Sequence, residues 1–358
     1  MMRLPLFEFR APRTIEEAAR ILDGERMTAM PLAGGTDLLP NMKRRQQVPR
    51  TLVSLRHIES LTSIQLDPAA SRLGACLTLT DMAEDPRFGN GFAALAQAAS
   101  FVATPQIRNM ATLGGNLCLD TRCNYYDQNY EWRKAINFCL KKDGETCWVA
   151  PGSRKCVAVS STDTAPALIA LGARVRLVSR SGEREVPLAD LYNNDGIHYI
   201  KRRPDEILTE VLLDSLDGWK STYWKLRRRG SFDFPVLSVA AAARISHQGI
   251  VEDARMVIGS AASQPLVATA AAEFLLGRTL NPEAIREASV IAARIAKPLD
   301  NTDFDMTWRK RVTAEFVTYA LRELRGDDVS AERESLTRMS CLGEEPDHGS
   351  KITTVERR

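Results

Sequence analysis

Long apolar runs are missing from this chain of 358 residues. No stretch approaches the roughly 18 apolar residues of a membrane span, and the opening MMRLPLFEFRAPRT lacks the apolar core of a signal peptide. No membrane span is expected, and a cytoplasmic location, where thiols stay reduced, is. A dominant charge is missing too. The net charge is +3, spread along the chain, and gives no ground for a nucleic-acid partner. Internal repeats are absent, as are the G-x-G-x-x-G fingerprint and the P-loop. The seven cysteines are an odd number in a long chain, which argues against a secreted disulfide framework. Among Cys123, Cys139, Cys147 and Cys156 no close C-x2–4-C pair of the zinc-ribbon kind occurs.

What remains is a folded chain, 44% hydrophobic and 26% charged, too long for one ordinary core. TIEEAARIL predicts a short helix, with Thr14 and Glu17 as a capping box. MTAMPLAGGTDLLPNMKRR predicts a strand, a Gly34-Gly35 turn and a helix opening near Asp37. Strands are expected at 51–55 and 73–79, a helix over 92–103 stopped by Pro105, and a second glycine turn in TLGGN. DTAPALIALGA reads as a helix capped by Asp163; strands follow at 173–178 and 206–213. From about residue 219 two strands around a loop, a third strand in VEDARMVIGSA, and helices in NPEAIREASVIAARIA and TWRKRVTAEFVTYALREL are predicted. The class is α+β with a boundary near 216–219. Residues 326–358 are charged and aperiodic, which predicts a mobile tail.

Two features carry chemistry. LAGGTDLLP and TLGGNL each end an apolar run in two glycines and a small polar residue, a pattern suited to a nest of backbone N–H groups for a pyrophosphate. Four cysteines crowd one stretch: Cys123, Cys139, Cys147 and Cys156, separated by 15, 7 and 8 residues. That spacing leaves an iron–sulfur cluster, a zinc site and unrelated buried thiols all open. Cys118, directly after TLGGN, is either a buried small hydrophobe or the true fourth ligand; Cys76 and Cys341 read as bystanders. Tyr125, Tyr126, Tyr130, Trp132, Arg133, Lys141 and Lys142 lie between the cysteines and read as loop packing and solvent-facing charge.

PLAGGTDLLPNMK and PQIRNMATLGGNL resemble the two flavin-binding signatures of the FAD subunits of molybdenum hydroxylases, over roughly residues 4–325. The resemblance implies an FAD-binding domain in two parts (about 1–56 and 57–216, of the PCMH or vanillyl-alcohol-oxidase-like type) and a C-terminal CO-dehydrogenase-flavoprotein-like domain over 217–325. Ala33, Gly34, Gly35, Thr36, Asp37 and Leu38 would then cradle the FAD diphosphate, and Thr112, Gly114, Gly115 and Asn116 the other half of that cradle. Asp163 would sit on the polyol side of the flavin, Lys225 near its ring, and Val102 and Leu208 would make apolar contacts. Taken alone, Asp163 reads as a helix cap and Lys225 as a solvated strand charge.

The cysteine stretch, residues 119–158, looks like an insertion into that family pattern. It is similar to the insertion of 4-hydroxybenzoyl-CoA reductase β subunits, which implies a [4Fe–4S] cluster on Cys123, Cys139, Cys147 and Cys156 beside the FAD. The same resemblance implies an oxidoreductase subunit without a substrate pocket of its own. Its partners would be a large molybdenum-cofactor subunit and a small subunit with two [2Fe–2S] clusters, in a dimer of heterotrimers fed by ferredoxin. A similar subunit of a molybdenum aldehyde or N-heterocycle dehydrogenase is the alternative, and a non-redox zinc-binding interaction protein a third reading.

Overall fold

A computed structural model describes residues 3–342 other than Pro68 and Ser231, with the backbone alone described for Asn90 and residues 337–342. Three sheets organise it. The first is small and parallel, in the order β1 (Glu8–Arg10), β3 (Thr51–Ser54), β2 (Ala29–Leu32). Pro31 is tolerated because β2 is an edge strand. Helix α1 (Ile15–Glu25) buries Ala18, Ala19 and Leu22 against this sheet. Thr14 caps it, but Glu17 returns to the N–H of Arg13 rather than completing the predicted box on Thr14. Helix α2 (Leu38–Lys43) follows the first glycine turn.

The second sheet is antiparallel: β4 (Ile64–Leu66), β5 (Ala70–Gly74), β8 (Ile207–Asp214), β6 (Arg174–Ser179), β7 (Gly182–Pro187). Its core is shared with helices α3 (Leu79–Glu84), α4 (Ala93–Ser100), α6 (Leu113–Leu117) and α8 (Thr164–Ala170). Two boundaries differ from expectation. The strand predicted at 73–79 stops at Gly74, because Thr78 and Asp81 form a capping box that opens α3. Pro105 begins the short helix α5 (Pro105–Arg108) instead of ending α4, the first-turn position its missing N–H suits. Helix α7 (Tyr130–Ala135) lies in the cysteine stretch.

The third sheet runs β12 (Leu266–Val267), β11 (Val251–Gly259), β10 (Leu237–Ile245), β9 (Trp219–Leu226), all antiparallel. Strand β10 is buried on both faces, which accounts for its alanines. Ala240 and Ala242 face the second core; Val239, Ala241 and Ala243 face a third, closed by α9 (Thr269–Leu275), α10 (Pro282–Ala293) and α11 (Met306–Arg325). Gly326, at φ 105°, ends α11, and the chain turns into a further helix, α12 (Ser330–Leu342). The tail predicted as mobile is therefore helical up to Leu342. Val329 and Leu336 pack on the third core, Arg333 pairs with Glu323 at 2.6 Å, and its guanidinium lies 4.2 Å from the Trp224 ring. Residues 343–358 and the side chain of Cys341 lie outside what is described.

Candidate functional site

The two glycine motifs touch. Gly34 follows β2, and a Cβ there would stand 1.9 Å from the carbonyl oxygen of Met110, just before Thr112. Only glycine permits this approach, and Gly35 supplies the positive φ (72°) that turns the chain into α2. Among the described residues, no hydrogen bond takes the backbone N–H groups of Gly34, Gly35, Thr36, Asp37 or Leu38, and Asp37 gives α2 no side-chain cap. Five successive donors are thus left for another group, as a nest for an anion requires.

The second motif behaves differently. Thr112 Oγ1 caps α6 by accepting from Gly115 N–H (3.1 Å), Gly114 N–H donates to the Ala75 carbonyl (2.8 Å) and Asn116 N–H to the Thr112 carbonyl (2.9 Å). Its donors are already paired, so its glycines serve close packing: a Gly114 Cβ would meet the Ala75 side chain at 2.8 Å. Asn116 Oδ1 accepts from Thr162 Oγ1, Thr164 N–H and Thr164 Oγ1 (2.8, 3.1 and 2.7 Å), and so caps α8.

That cap leaves Asp163 free for another role. Its side chain makes no cap bond; it accepts from Tyr223 Oη (2.7 Å) and pairs with Lys225 Nζ (3.0 Å), which also donates to the Phe101 carbonyl (2.9 Å). Both members of the pair are buried. Burial pushes the Asp163 carboxyl above the usual carboxylate range while Lys225 and Tyr223 pull it back, and burial pushes Lys225 down. The plain-cap and solvated-strand readings both fail here. Arg227 is half-buried over the Phe101 ring (5.4 Å), and Arg229 holds Asp233.

These elements enclose a cavity of about 410 Å³, within the roughly 300–1,000 Å³ usual for cofactor sites. Ala33, Gly34, Gly35, Thr36, Asp37 and Leu38 line it; so do Val102, Thr112, Gly114, Gly115, Asn116, Asp163 and Leu208. A register shift in the pairing of β6 and β8 between Arg176 and Leu177 sets Leu208, the residue after Ile207, opposite Leu177. Lys225 is not on the surface of this cavity but behind Asp163. Cys118 and Cys76 are on it, both with thiols raised by burial. Sequence reasoning missed Arg44, Gln47, Asp120, Tyr199, Arg202, Glu206 and Phe234, which also line it. Their signal is faint, since KRRPDE reads as a solvated charge run, although Glu206 is held by Arg184 at 2.7 Å and is only 1% exposed.

Arg122 joins this cavity to the cysteine stretch. Its guanidinium pairs with Asp37 of the nest and with Asp127 (3.0 Å), and it stacks 4.6 Å from the Phe234 ring. Its backbone exchanges two hydrogen bonds with Val159 (2.8 and 2.7 Å), so the chain leaves and returns at one point. Between them Cys123, Cys139, Cys147 and Cys156 line one small pocket with Tyr125, Tyr126, Val149 and Ala158. Cys118 is not among them. Asn137, Phe138 and Asp143 take positive φ (61°, 58° and 65°) around Cys139, a conformation costly for such residues. The Ala158 N–H points at Cys156 Sγ (3.4 Å), and the Tyr125 N–H favours a charged Cys123. Burial holds the Cys123 thiol up at about 12 and Cys156 at about 11, with Lys141 pulling the latter back. Among the described residues, no three His, Cys, Asp or Glu side chains converge as a single metal ion requires. The four buried thiols share one pocket, with the Ala158 and Tyr125 N–H groups at Cys156 and Cys123, and thiolates are the donors an iron–sulfur cluster takes.

Residues 5–213 match the model of the FAD-binding domain in molybdopterin dehydrogenase, and residues 221–324 that of the CO dehydrogenase flavoprotein C-terminal domain. The chain belongs to the FAD-binding subunits of the molybdenum hydroxylases; it is the FAD-containing subunit of an oxidoreductase of that family. It is 30% identical to the nicotinate dehydrogenase FAD-subunit of Eubacterium barkeri, over 84% of this chain and 87% of that one. It is 33% identical to the aldehyde oxidoreductase FAD-binding subunit PaoB of Escherichia coli, over 72% and 82%. A carbon monoxide dehydrogenase structure from Hydrogenophaga pseudoflava superposes with TM-score 0.73 at 26% identity, over 90% of this chain and 98% of that one. Membership sets aside the non-redox interaction protein. Among the described residues, no helix is long and apolar enough to cross a membrane.

Proposed function

We propose that this chain is the flavin and iron–sulfur relay subunit of a molybdenum enzyme of the 4-hydroxybenzoyl-CoA reductase type. The observation that carries the reading is the set of four buried thiols lining one pocket, which the Lys141–Asp120 pair connects to the flavin-sized cavity. FAD, when bound, exchanges one or two electrons, and a [4Fe–4S] cluster one. The chain's own residues do the rest. The free N–H groups from Gly34 to Leu38 bind the diphosphate, with Gly114 and Gly115 leaving it room. Val102 and Leu208 contact the flavin, and Asp163 orients its polyol with Lys225 and Tyr223 fixed behind it. Cys123, Cys139, Cys147 and Cys156 would hold the cluster, and Tyr125, Tyr126, Val149 and Ala158 packed around them would exclude water.

No residue set for a substrate is assigned to this chain, so catalysis falls to partners: a large molybdenum-cofactor subunit and a small subunit with two [2Fe–2S] clusters, in a dimer of heterotrimers. The reaction takes two electrons and two protons and converts 4-hydroxybenzoyl-CoA to benzoyl-CoA and water. A ferredoxin would be the electron donor, in a cytoplasmic, anaerobic aromatic degradation.

A second reading is oxidation of an N-heterocycle or aldehyde, favoured by the relatives at 30% and 33% identity. The assembled complex decides between them. With a low-potential donor it should dehydroxylate 4-hydroxybenzoyl-CoA and leave nicotinate and aldehydes unoxidised; the reverse pattern establishes the second reading.

A further inference from the structure

A buried ion pair separates the cysteine pocket from the flavin cavity. Lys141, two residues past Cys139, sends its ammonium inward to Asp120 Oδ1 (2.7 Å), Thr121 Oγ1 (2.7 Å) and the Gly196 carbonyl (2.5 Å). The side chains of Lys141 and Asp120 are 6% and 4% exposed. Tyr126 Oη donates to the other carboxylate oxygen at 2.9 Å, and the ammonium lies 4.7 Å from the Tyr126 ring. The pair is oriented. Lys141 and Tyr126 border the cysteine pocket; Asp120 borders the flavin cavity. Gly196, which accepts from Lys141, is also pressed against the thiols: a Cβ there would stand 2.7 Å from Cys156 Sγ.

We propose that Lys141 is a positioning residue for the redox centre of the cysteine pocket: its ammonium, held in place by Asp120, Thr121 and Gly196, raises that centre's reduction potential. The inference rests on reading the pocket as an iron–sulfur site. A cluster bound by four thiolates is anionic and gains a further negative charge on reduction. A fixed cation in a dry setting stabilises the reduced form more than the oxidised one. Lys142 is about a third exposed and Lys155 is exposed, so water and salt screen their charges; Lys141 is enclosed. Asp120 opposes the effect from the far side of the ammonium, so the two residues predict shifts of opposite sign.

The test uses the full chain, purified without oxygen as wild type, Lys141→Met, Lys141→Arg and Asp120→Asn. Iron and FAD per chain are measured first, then the cluster midpoint by reductive titration followed by EPR. Lys141→Met should retain iron and move the midpoint to more negative potential, Lys141→Arg should restore it, and Asp120→Asn should move it to more positive potential. An unchanged midpoint in an iron-loaded Lys141→Met overturns the proposal. If Lys141→Met loses its iron, Asp120→Asn decides: a positive shift supports the proposal, and no shift or a negative one overturns it. Loss of iron from both variants makes the pair a structural clamp and overturns the tuning role. A wild type that binds FAD but no iron fails the iron–sulfur reading itself, which is a different result from any of these.

Discussion

A single Cβ decides several positions in this molecule. Gly34 sits where any side chain would enter the Met110 carbonyl, so Gly34→Ala must displace one of the two motifs. A cost at the upper end of about 1–3 kcal/mol is expected, together with loss of most bound FAD, read by thermal melting and by flavin absorbance after gel filtration. Lys225 is decided by charge instead. In Lys225→Met the buried Asp163 loses its ammonium, and a loss of about 3–5 kcal/mol at neutral pH is expected. Burial already raises the Asp163 carboxyl in the folded protein, and removing Lys225 raises it further. The folded state then holds a proton that the unfolded state releases, so the deficit is full above the raised folded value and shrinks as pH falls towards the unfolded one. Denaturant melts of the variant and wild type between pH 8 and pH 5 should converge; a constant gap sinks this account. At this scale the sequence was partly legible. The glycine pairs announce close approach, but nothing in DTAPALIALGA says that Asn116 caps α8 and frees Asp163. A capping side chain 47 positions away leaves no local pattern.

At the scale of elements, legibility followed periodicity. Helices α10 and α11 carry an apolar stripe and a cap, and both lie where the sequence predicts them. Strand β7 went unread because its GEREVP faces solvent with charges that pair across to Arg174 and Arg176. Helix α12 went unread because Val329, Arg333 and Leu336 supply its contacts sparsely, one of them through a charged stem. The corner between α11 and α12 gives a pH test. Arg325 and Arg322 hold the Asp327 carboxyl down from 3.8 to about 2. The stabilisation from that pairing is present above the unfolded value near 3.8 and is lost as pH falls through about 2. In acid titration by circular dichroism, the gap between Asp327→Asn and wild type should shrink between pH 4 and pH 2; a gap as wide at pH 2 as at pH 4 contradicts the pairing. The irregular elements of the cysteine stretch follow no period at all, and the left-handed residues at Asn137, Phe138 and Asp143 could not have been read from their identities.

The whole molecule is a flavin-binding scaffold from which the cysteine loop leaves and to which it returns at one point. Arg122 and Val159 pair at the base of that loop, while Arg122 also reaches Asp37 in the nest. Replacing residues 123–158 by a short glycine linker should therefore leave a folded chain that still retains FAD, with all iron gone. Loss of FAD as well would make the loop part of the flavin site. The four thiols come together across 34 residues into one pocket, which their spacing alone could not show. The measurement that tests the central claim most directly is the iron, acid-labile sulfide, zinc and FAD content of the anaerobically purified chain, with its visible spectrum. The account predicts about four iron and four sulfide per FAD, and a yellow-brown protein. A yellow protein with one FAD, one zinc and no iron would contradict it.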